Sequence, residues 1–252
     1  MTQELNQLIQ YERFVFTDIL SDDRIQEIVR SKYASLVCDS FAVRAYSLFK
    51  RSAETDIDFI FPLQNTPSIS VDFILQLFPD RKHFKRINAN CAFIRIYCPV
   101  PIELEFGNEF ILDFHIGGYY YYGDVLFPIY SEFFDSYALE TIESIGGLES
   151  VRLPVPNIDE LFIFKAIKGI GNDGIDLMSL ILSEKVSLQH LSNRLKDANA
   201  THRKAHTNLT HLLQAFESEV LRWNKYHFSA LKKADQTNVK NFLEELLGLI
   251  NE

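Results

Sequence analysis

The chain has 252 residues, 47% hydrophobic and 23% charged, with a formal net charge of −9. This is the make-up of a folded globular protein, and it excludes extended disorder and a surface coated for nucleic acid. No apolar run reaches the roughly 18 residues of a membrane span, and Met1-Thr2-Gln3-Glu4 lacks the basic start of a signal peptide, so a cytoplasmic protein without a membrane partner is expected.

Charge is unevenly spread along the chain. Residues 1–176 hold 15 Lys and Arg against 26 Asp and Glu, whereas 177–252 hold 10 against 8 together with five of the seven histidines. The shift predicts an α/β domain over 1–176 and a helical domain over 177–252. Cys38, Cys91 and Cys98 are odd in number and form no close Cys-x-x-Cys pair, which points to buried small hydrophobes and away from a disulfide framework or cysteine zinc site.

In chain order, Ser21-Asp22-Asp23 before Ile25, Ile28 and Val29 predicts a helix over about 22–33. Ala34–Cys38 reads as a short buried run, and Phe41, Ala45 and Leu48 predict a second helix over 40–49. A strand follows at Asp56, broken by Pro62, Asn65 and Pro67; a helix from Ser70 ends at Pro79. Between Cys91 and Ile116 lie β-rich runs with turns at Pro99-Val100-Pro101 and Gly107-Asn108. Beyond 177, Leu209, Leu212, Leu213, Phe216, Val220, Trp223, Phe242, Leu246 and Leu249 recur at helical spacings. The fold class expected is α/β, a mixed sheet with flanking helices and a helical C-terminal domain.

The candidate chemistry lies in Thr55-Asp56-Ile57-Asp58-Phe59. A strand sends residues i and i+2 to one face, so Asp56 and Asp58 converge while Ile57, Phe59 and Phe61 face a core. Two carboxylates on an apolar strand are either solvated or hold a hard cation such as Mg²⁺, which takes oxygen ligands together with substrate phosphates. The run from Phe110 to Ile116 repeats the pattern, with Asp113 and His115 on one face and Phe110, Leu112, Phe114 and Ile116 on the other. If the two strands are neighbours, Asp113 meets Asp56 and Asp58. Two metal ions would then offset the repulsion among three carboxylates and clamp a phosphoryl transition state.

With these residues the chain resembles the nucleotidyltransferase superfamily, in particular the branch of AbiEii-type toxins and minimal nucleotidyltransferases. Leu36-Val37 with Phe41–Tyr46 is similar to the first helix of the family pattern, Ser52–Ile60 to its metal-binding strand, and Leu112–His115 to its third carboxylate. Val155-Pro156, Asp159-Glu160-Leu161, Lys165, Gly169, Asp173 and Asp176-Leu177 are similar to its later lysine-bearing segment. The likeness spans roughly 34–182. It implies transfer of a nucleoside monophosphate from a nucleoside triphosphate to an RNA or protein hydroxyl, in a toxin–antitoxin or defence setting with a cognate protein partner. It also implies Mg²⁺ or Mn²⁺ as cofactor, Asp56, Asp58 and Asp113 as catalytic metal ligands, and Ser40, Arg51 and Lys165 on the nucleotide. The chain departs where the family has its glycine pair, since Cys38-Asp39-Ser40 stands there, and Arg51 lies one residue farther from Asp56. The alternative expectation is a noncatalytic protein of the same fold that binds a partner.

Local alternatives stand beside these roles. Ser40 is equally an N-cap, Lys165 a packed or snorkelling lysine, and Asp173 and Asp176 caps or ion-pair partners of the next helix. His115 could orient Asp113 or be structural, and the Tyr119–Tyr122 run fits sheet packing better than base stacking, because successive strand residues alternate faces.

Overall fold

Alternation along the strands generates one apolar and one polar sheet face, and the apolar face builds the core. The computed structural model describes residues 3–30, 35–49, 54–62, 67–105, 107–169, 172–196 and 200–251. It is α/β, and it divides into two compact units: 1–45 with 53–156, and 46–52 with 157–252. That division falls between Pro156 and Asn157. The position suggested by charge, 176/177, lies inside a continuous helix, Asp173–Leu182. Charge reports solvation of surfaces, whereas packing draws the boundary.

In the first unit, helix α1 (Gln3–Phe14) runs into a π-helical turn (Val15–Leu20), followed by α2 (Asp23–Val29). Asp22 caps α2, its side chain accepting from the Arg24 N–H at 2.9 Å. A five-stranded mixed sheet follows, in the order β1 (Leu36–Cys38), β2 (Asp56–Phe61), β5 (Gly107–Ile116), β4 (Ala92–Leu104), β3 (His83–Ile87). Strands β2 and β5 are parallel, and the other neighbours are antiparallel. The second predicted helix shrinks to α3 (Asp39–Val43), and α4 (Pro67–Leu77) fills the crossover after β2.

On the apolar face Ile57, Phe59, Phe61, Leu112, Phe114, Ile94 and Ile96 are buried. Phe59 and Phe114 stack at 5.3 Å, and Phe78, just after α4, packs 6.3 Å from Phe114. Each such ring contributes about 1.5–3 kcal/mol by leaving water. The unit is completed by the hairpin β6 (Tyr119–Tyr122) and β7 (Val125–Pro128), a short helix α5 (Glu132–Asp135), and the hairpin β8 (Tyr137–Glu143) and β9 (Ser150–Pro156). Tyr120 and Tyr121 are buried and Tyr122 is half exposed, so the tyrosine run packs.

The second unit is helical: α6 (Ile158–Lys168), α7 (Asp173–Leu182), α8 (Leu188–Leu195), α9 (Ala200–Gln214), α10 (Phe216–Tyr226) and α11 (Lys233–Asn251). Helix α6 is buried along its whole length, as expected of a helix wrapped by others. The Asn157 side chain caps its start, and it ends at Gly169 in the left-handed region, φ 57°. The Asn208 amide donates to the carbonyls of Ala166 and Ile167 at 2.8 and 3.2 Å, satisfying groups that a helix end leaves open. Phe49 meets Trp223 edge-on at 5.0 Å. No helix among the described residues is long and apolar enough to cross a membrane.

Candidate metal centre

The parallel pairing of β2 with β5 sets Asp58 directly beside Asp113 in register. Asp56 lies two residues back on the same face, opposite Ile111. The two expected strands are therefore neighbours, and their carboxylates share one face. Asp58 and Asp113 are 6% and 3% exposed. Ligand atoms of Asp58, Asp113 and His115 all lie within 4.8 Å of one another. Buried oxygen donors at that spacing could hold a metal ion.

Burial raises the Asp56 carboxyl to about 8, with Asp58, Glu54, Asp39 and Asp113 adding repulsion in that order. A proton or a cation can relieve this. His115 serves Asp58, where the sequence offered Asp113: its Nε2 lies 2.8 Å from Asp58 Oδ1. The Tyr121 backbone N–H donates to His115 Nδ1 at 3.0 Å, so Nδ1 carries the lone pair and Nε2 carries the proton that Asp58 accepts. Liganding an ion through Nε2 would require the opposite tautomer and place two protons between His115 and Tyr121. His115 is thus built to hold Asp58. The Tyr120 ring stacks on it at 4.2 Å.

Asp113 has its own partner. Arg95, opposite it on β4, donates from Nε to Oδ1 at 2.8 Å and from Nη2 to Oδ2 at 2.6 Å. This fork raises the guanidinium well above its ordinary value, chiefly through the hydrogen bond to Asp113. No sequence motif singles out Arg95. Its signal is the alternation of Phe93, Arg95 and Tyr97 with buried Ala92, Ile94, Ile96 and Cys98, which puts a lone arginine at the centre of a strand.

At the departure from the glycine pair, Asp39 adopts φ 59°. That is the left-handed region in which glycine is at ease and Asp and Asn are the tolerated substitutes. The backbone there keeps a glycine's conformation while carrying a carboxylate, and the Tyr120 hydroxyl donates to that carboxylate. Ser40 is the second residue of α3, whose N-cap is Cys38, with no side-chain capping bond; Ser40 is not the cap. Arg51 lies outside the described residues. Lys165 is in the second unit, fully buried, with Nζ 2.9 Å from Asp173 and 2.5 Å from Asp176. Lys168 reaches Asp173 at 3.4 Å. Asp173 and Asp176 are thus ion-pair partners within that unit.

No protein-family model matches the chain, and no curated protein does. Among solved structures it is similar to a "putative nucleotidyltransferase from H. pylori", at 14% identity and a TM-score of 0.47, over 100% of this chain and 97% of that one. A likeness of that size decides neither activity nor substrate, and both rest on the residues themselves.

Proposed function

We propose that the protein is a metal-dependent nucleotidyltransferase that moves a nucleoside monophosphate from a nucleoside triphosphate to a hydroxyl of RNA or protein, releasing pyrophosphate. The observation that carries the reading is the pairing of Asp58 with Asp113 on adjacent parallel strands, with Asp56 on the same face. Mg²⁺ or Mn²⁺ held by these carboxylates would neutralise the charge that develops on the transferred phosphoryl group. Asp113 would help take the proton from the attacking hydroxyl, and His115 would keep Asp58 aimed. Ser40, Arg51 and Lys165 are the nucleotide-side candidates, and for Lys165 the two carboxylates of its own unit compete for the charge. The cytoplasm and a toxin–antitoxin or defence setting with a cognate protein partner complete the proposal.

A second reading, a noncatalytic protein of this fold that binds a partner, draws support from Arg95, which engages both oxygens of Asp113, and from the carboxylate at Asp39. Calorimetric titration of the four nucleoside triphosphates, with and without Mg²⁺, separates the two. The transferase reading expects metal-dependent binding that Asp58→Ala abolishes. Absence of binding to all four would favour the partner-binding reading.

A further inference from the structure

The polar face of the sheet continues beyond Asp113 toward the edge strand β3, and its composition changes there. In a chain of net charge −9, residues 81–86 read Arg-Lys-His-Phe-Lys-Arg. In register, Phe84 lies opposite Arg95, which lies opposite Asp113, which lies beside Asp58. One row across four strands therefore runs ring, guanidinium, carboxylate, carboxylate. In the next row Arg86 lies opposite Phe93, and Phe93 opposite His115. On the other side the Lys82 ammonium sits 4.8 Å over the Tyr97 ring.

Lys82, just before β3, joins Phe84 and Arg86 of β3 on this face, and β4 presents Tyr97, Arg95 and Phe93, so that each cation is set against a ring. The Arg95 guanidinium also lies 5.6 Å from the centroid of Phe93, and Phe84 packs 6.3 Å from that ring. Arg86 pairs at 2.9 Å with Asp124, whose side chain is 95% exposed, a solvated contact of the weak kind that a phosphate can displace.

Charged residues on an edge strand commonly guard it against pairing with another chain. A purely protective edge would not expose a large ring, yet Phe84 is 52% exposed on this face. Rings alternating with cations match a ligand that alternates flat bases with phosphates, as single-stranded nucleic acid does. An acidic peptide would use the cations and leave the rings without a role.

We infer that the β3–β4 checkerboard is a docking surface for a single-stranded polynucleotide, with Phe84 stacking a base and Lys82 and Arg86 facing phosphates. The surface stands on its own residues. Its assignment as the acceptor track rests on the transferase reading, because the row ends on Asp113 and Asp58. About three strand spacings of 4.8 Å separate Phe84 from Asp58, so a chain lying along the row delivers its terminal hydroxyl to the carboxylates.

The test is fluorescence anisotropy with a fluorescein-labelled oligouridylate of twelve nucleotides and the full chain, without metal or triphosphate. The wild type binds with an affinity that falls as salt rises. Lys82→Glu with Arg86→Glu weakens binding at least tenfold and flattens the log–log salt slope by about 1.4, the value for two phosphates of a single strand. Phe84→Ala weakens it by about five- to 150-fold, as loss of one base stack predicts. Arg203→Glu with Lys225→Glu, an equal charge change on exposed positions of the helical unit, leaves it unchanged.

Failure of the wild type to bind at low salt overturns the inference. So does full binding by the Lys82/Arg86 variant, or displacement of the probe by polyglutamate as effectively as by unlabelled oligouridylate, which would mark an acidic protein as the occupant. Probe binding without any metal-dependent binding of triphosphates removes the transferase reading and leaves the docking surface standing. The reverse pattern removes the docking surface alone.

Discussion

Both carboxylate oxygens of Asp113 accept from Arg95, at 2.8 and 2.6 Å, so an ion that uses Asp113 must compete with a guanidinium fork. Arg95→Met should therefore tighten Mn²⁺ binding by about tenfold or more, each factor of ten being 1.4 kcal/mol, while lowering the melting temperature because Asp113 is left buried without a counter-charge. Titration followed by Mn²⁺ electron paramagnetic resonance gives the affinity. An unchanged affinity would mean that the ion does not use Asp113.

His115→Phe should destabilise the fold by about 1–3 kcal/mol, the usual cost of leaving a buried acceptor without its donor, because Asp58 Oδ1 loses the Nε2 proton. His115→Gln, which keeps a donor near that position, should recover part of the loss. Thermal unfolding measures both variants. The nitrogen shifts of His115 should report the neutral Nε2–H tautomer, and a protonated Nδ1 would contradict the bond from Tyr121.

For Asp56 the prediction concerns pH. Its carboxyl is raised from 3.8 to about 8, so the folded state holds a proton that the unfolded chain releases near pH 4. Stability from this group is complete below about pH 4 and is lost as pH rises toward 8. In the metal-free protein, melting temperature should therefore fall over that window, and Asp56→Asn should flatten the fall. Parallel slopes in the two proteins would rule out Asp56 as the titrating group.

Lys165→Met should reduce the unfolding free energy by about 3–5 kcal/mol, since it strands Asp173 and Asp176 without their main buried cation. Denaturant unfolding measures it. A variant with wild-type stability and no affinity for triphosphates would instead give Lys165 to the phosphates.

The Asp-x-Asp pair and Asp113 are legible in the chain because strand alternation has a period of two that survives any tertiary context. The apolar partners Ile57, Phe59, Leu112 and Phe114 enter the core for the same reason. What faces a carboxylate across the sheet depends on register between distant strands, which leaves no local trace. Hence the chain marks Arg95 as a lone strand arginine but not as the partner of Asp113, and nearness in sequence pairs His115 with Asp113, two residues away, although it turns to Asp58 on the neighbouring strand.

The strand order also predicts a sequence of assembly. Arg95 and Asp113 are separated by 18 residues and meet across the antiparallel β4–β5 pair, a contact with a short loop to close. Asp58 and Asp113 are 55 residues apart and meet only through a parallel crossover, which is slower to form because more chain entropy is lost before contact is made. On that expectation the hairpin would reach β2 with Asp113 already neutralised by Arg95, and the second carboxylate would dock against a guanidinium-paired group instead of a bare anion. The arginine with which an ion would compete on the transferase reading would, during folding, be what lets the two acids come together.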